Sequence, residues 1–90
     1  MYFITLICEH DLSSRTVGYY KSKKTAIEVV KENVFDIWET VYEYAVIQKM
    51  WEGLYPDPLE ETWFVFRELT GQYSETEKPE QFEHYQFGIG

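Results

Sequence analysis

The sequence predicts an α+β domain, an antiparallel sheet of about five strands with one main helix on one face, in the order β-β-α-β-β-β. Three observations lead there. Short runs rich in β-branched and aromatic residues recur between turn clusters. Only one stretch, after Ser22, has apolar residues at convincing helical spacing. The chain has 90 residues, enough for a single domain (residues 1–90) that buries about 60–65% of its unfolded surface.

Tyr2-Phe3-Ile4-Thr5-Leu6-Ile7-Cys8 carries β-formers on both alternating faces, Ile4, Leu6 and Cys8 against Phe3 and Ile7, and so reads as a strand inside the sheet. Asp11-Leu12-Ser13-Ser14 is a turn cluster. Arg15 to Tyr20 reads as the returning strand of a hairpin, with Gly18 as a candidate bulge. Ser22 is a suitable N-cap, and over Lys23 to Glu32 the residues Ala26, Ile27, Val30 and Val34 line one face. Asn33 is the expected left-handed stop.

Phe35 to Glu39 reads either as another helical turn or as an irregular connector burying Ile37 and Trp38. A strand follows from Tyr42 through Tyr44 to Trp51, then a loop over residues 52–61 with two prolines and one glycine. A loop of that length in so small a domain is either a binding element or a strap pinned to the core edge by Leu54 and Tyr55. Trp63 to Leu69 is the next strand, and Thr70-Gly71 supplies a tight turn into the polar edge strand Gln72 to Thr76. Pro79 opens a short helical turn reaching His84, and the apolar tail Tyr85 to Ile89 is expected to dock on the sheet of this copy or a neighbour.

Aromatic residues make up 19% of the chain, more than a one-layer core encloses, and one helix cannot cover five strands. Both facts predict a homo-oligomer or a partner. The single cysteine, Cys8, excludes an internal disulfide framework and fits a reducing cytoplasm. The apolar opening run is far shorter than the roughly 20 residues that span a bilayer, and no basic residue precedes it, so neither a membrane segment nor export is expected.

The net charge of −8 disfavours direct binding to duplex nucleic acid or to an anionic membrane surface. Its distribution is uneven. Five of the eight basic residues, Arg15, Lys21, Lys23, Lys24 and Lys31, fall within seventeen positions around the helix start. Residues 36–90 carry twelve acidic and three basic side chains.

Phe35-Asp36-Ile37-Trp38-Glu39, Tyr44-Ala45-Val46-Ile47, Gly53-Leu54-Tyr55-Pro56, Trp63-Phe64 and the terminal Phe87-Gly88-Ile89-Gly90 together resemble a set of small proteins of about this length from Gram-positive gut anaerobes and their prophages. The resemblance covers nearly the whole chain and transfers no catalytic residue, because no activity is assigned to that set. It implies a short protein of a mobile element that occupies a host component, for example as an inhibitor of anti-phage defence.

The residues themselves offer two binding sites. Lys21, Ser22, Lys23, Lys24 and Thr25 open the helix, where unpaired N–H groups, the dipole and ammonium groups converge on phosphate. Arg15, Tyr19 and Tyr20 on the preceding strand are expected to complete a nucleotide-like site with a guanidinium and a stacking ring. The plainer reading is a cap and solubilising lysines, although lysine early in a helix opposes the dipole. The second site is an acidic aromatic surface for a basic protein, built from Leu54, Tyr55, Glu60, Glu61 and Trp63; here the plainer reading is a solvated face. Cys8, His10 and His84 lack CxxC or HxxxH spacing, so no metal is expected. Same-face strand neighbours such as Cys8 and His10 lie about 6.5–7 Å apart, too far for a nucleophile and its base. A non-enzymatic sequestering protein without cofactor is the expectation, with a homo-oligomeric structural subunit as the other class.

Overall fold

The computed structural model describes residues 1–10, 12–32, 42–50, 60–67 and 69–82. Asn33, Val34, the 35–39 segment, Trp51, Leu54, Tyr55, Glu68, His84 and the 85–89 tail lie outside these residues, as does Asp11. Within the described residues run β1 (Tyr2–Ile7), β2 (Ser14–Tyr20), α1 (Lys23–Lys31), β3 (Tyr44–Lys49), β4 (Glu60–Arg67) and β5 (Gln72–Thr76), with a 3-10 turn at Glu80–Phe82. The predicted order holds.

The strands form one five-stranded sheet in the order β2-β1-β3-β4-β5, and every neighbouring pair is antiparallel. β1 is internal, as its two apolar faces require, while β2 and β5 are the edges. Register between β1 and β2 shifts between Ile4, opposite Gly18, and Thr5, opposite Thr16, which leaves Val17 as the extra residue of a bulge beside Gly18.

Helix α1 packs across the sheet. Ser22, in extended conformation, caps it by accepting the Thr25 N–H, and Ala26 and Val30 are buried beneath it. The core on this side joins Ile4, Leu6, Ala26, Val30, Ala45, Ile47, Phe64 and Tyr73. On the opposite face Ile7, Val46, Trp63 and Phe82 form a second cluster. Phe82 stacks on Trp63 with centroids 5.7 Å apart and meets Tyr44 edge-on at 5.2 Å. The Phe82 N–H donates to the Pro79 carbonyl, closing the turn expected there. A sheet face left bare by a single helix is therefore not what the structure shows around Trp63.

Several boundaries differ from the sequence reading: β3 starts at Tyr44 instead of Tyr42 and ends at Lys49, before Met50, and β2 takes in Ser14 from the expected turn. β4 begins at Glu60, so Glu60 and Glu61 belong to a strand and not to a loop: Glu60 pairs with Lys49 and Glu61 with Gln48. It ends at Arg67, which pairs with Gln72, so the connection spans four residues instead of Thr70-Gly71 alone. Leu69, expected inside the strand, is fully exposed in that connection. β1 ends at Ile7, so Cys8 and His10 do not share a strand face. Cys8 is buried after the strand, its N–H donating to the Ser13 carbonyl, while His10 is exposed.

Candidate functional site

Antiparallel pairing places the start of α1 over one end of the sheet. Tyr20, the last residue of β2, lies opposite Tyr2, Tyr2 lies opposite Lys49, and Lys49 lies opposite Glu60. Alternation puts these four side chains on the face that α1 covers, because Ile4, Ile47 and Phe64, an even number of residues away, are in the helix-side core. Adjacent strands are about 4.8 Å apart, so the row spans about 14 Å. Two contacts tie it together. The Lys49 ammonium sits 5.8 Å from the Tyr2 ring centroid, and Lys23 Nζ of α1 lies 3.4 Å from Glu60 Oε1.

Above this row Lys21 and Ser22, just before the helix, and Lys24 and Thr25 in its first turn are exposed to solvent. The first turn contains no acidic residue to oppose the positive end of the dipole. Lys23 is half-exposed and shares its charge with Glu60. Among the described residues neither Lys21 nor Lys24 is held in an ion pair.

Not every expected member arrives here. Arg15 pairs with Leu6 near the far end of β2, about 16 Å along the strand from Tyr20. Tyr19 points to the opposite face, where its ring meets Phe3 with centroids 5.5 Å apart. The structure thus brings Tyr20, Lys21, Ser22, Lys23, Lys24 and Thr25 together, leaves out Arg15 and Tyr19, and adds Tyr2 and Lys49. Only pairing register links Lys49 to this corner, since it lies twenty-five residues after Lys24 in sequence.

The expected acidic surface is also divided. Glu60 and Glu61 are consecutive on a strand and face opposite sides. Glu60 belongs to the corner above. Glu61 lies on the other face, where Gln48 Nε2 donates to its Oε2 at 2.9 Å and Trp63 Nε1 donates to its Oε1 at 3.4 Å. Trp63 is buried, so it underlies this region instead of presenting its ring to solvent.

Among the described residues no group of three or more His, Cys, Asp or Glu side chains is arranged to hold a metal ion, and no helix is long and apolar enough to cross a membrane. No protein-family model matches the chain, and no curated protein or solved structure matches it significantly.

Proposed function

We propose that this chain is a non-enzymatic binding protein that sequesters a small phosphorylated, nucleotide-like ligand at the start of α1. The observation that carries this reading is the meeting of cations from two distant segments, Lys21 to Lys24 at the entry to α1 and Lys49 from β3, at one sheet end of an otherwise acidic protein. Ammonium groups and the helix dipole stabilise phosphate, the Tyr20 and Tyr2 rings provide apolar surface for a base, and the Glu60 carboxylate accepts from a sugar hydroxyl or a base amino group. Ligand phosphate competes with Glu60 for Lys23. Capture in the reducing cytoplasm, in stoichiometric amounts, is how such a protein would occupy a host component, as the resemblance to prophage proteins implies. Self-association accompanies this proposal on narrower ground than composition suggested, namely exposed Tyr19 and Leu69.

The test is a thermal-shift panel of nucleotides and inorganic phosphate on the purified protein. A nucleotide at 100 times its Kd stabilises by about 2.7 kcal/mol, and the double variant Lys21→Glu, Lys24→Glu abolishes the shift while melting normally without ligand. A panel without any shift contradicts the reading.

A further inference from the structure

We draw no further inference here: the strongest candidate, the aromatic patch of Phe3 and exposed Tyr19 where β1 meets the edge strand β2 on the sheet face away from α1, carries nothing because no feature of the described residues shows what covers it.

Discussion

Tyr73 carries the clearest chemical perturbation at the scale of single residues. Its hydroxyl donates to the Tyr42 carbonyl at 2.8 Å and its ring packs edge-on against Phe66. Burial, and secondarily the Glu43 carboxylate, raises its pKa from 10.0 to about 12. The neutral phenol is therefore favoured by the folded state. Its contribution to stability is complete below pH 10 and is lost as pH rises from about 10 to 12, where the unfolded chain ionises first. Tyr73→Phe should lower the melting temperature at pH 8 but fall less steeply than wild type between pH 9 and 11.5. Parallel curves in a pH series of melts would contradict that assignment. Little of this is legible in the sequence, where Tyr73 stands only in a polar edge strand. Its burial comes from α1 lying over β5, which local periodicity does not encode.

The elements are more legible, because their signals are local. Ser22 before an apolar 3.6-residue stripe marks the helix start, and the alternating β-formers mark five strands. Ser22→Ala should cost about 1 kcal/mol, the usual value of an N-cap, or about 4–8 °C in a domain of this size. Gly71 has φ +70, the left-handed region, and closes the four-residue connection with its N–H on the Arg67 carbonyl. Gly71→Ala should cost about 1 kcal/mol. Gly18 has no positive φ, and a methyl group there would meet only open space, so Gly18→Ala should be tolerated or slightly stabilising. Thermal melts of these three variants check the set. Equal effects at Gly18 and Gly71 would contradict the backbone argument. The sequence misleads for the same reason at both ends of β4. Polarity and hydrophobicity alone misplace Glu60, Glu61 and Leu69, whereas pairing with Lys49, Gln48 and the Arg67–Gln72 rung decides where a strand stops.

For the whole molecule, two expectations drawn from composition have separate outcomes. The surplus aromatic surface is partly absorbed internally, since Trp63 and Phe82 close the face that one helix leaves open. Self-association then rests on exposed side chains such as Leu69, at the tip of the β4–β5 connection. Light scattering at micromolar concentration should give a mass above 10.9 kDa that falls in Leu69→Ser, and a wild-type mass of 10.9 kDa would remove the oligomer from the account. The cluster of cations in the sequence corresponds to a spatial corner only in part, because β2 carries Arg15 away along its length while β3 brings Lys49 in. Lys49 is therefore the residue on which the phosphate reading depends most. The decisive measurement is nucleotide affinity in Lys49→Glu against Lys31→Glu, equal in charge change but at opposite ends of the helix-bearing face. The account predicts at least about a tenfold loss for Lys49→Glu, about 1.4 kcal/mol, and a change within about twofold for Lys31→Glu; equal losses in the two variants would contradict it.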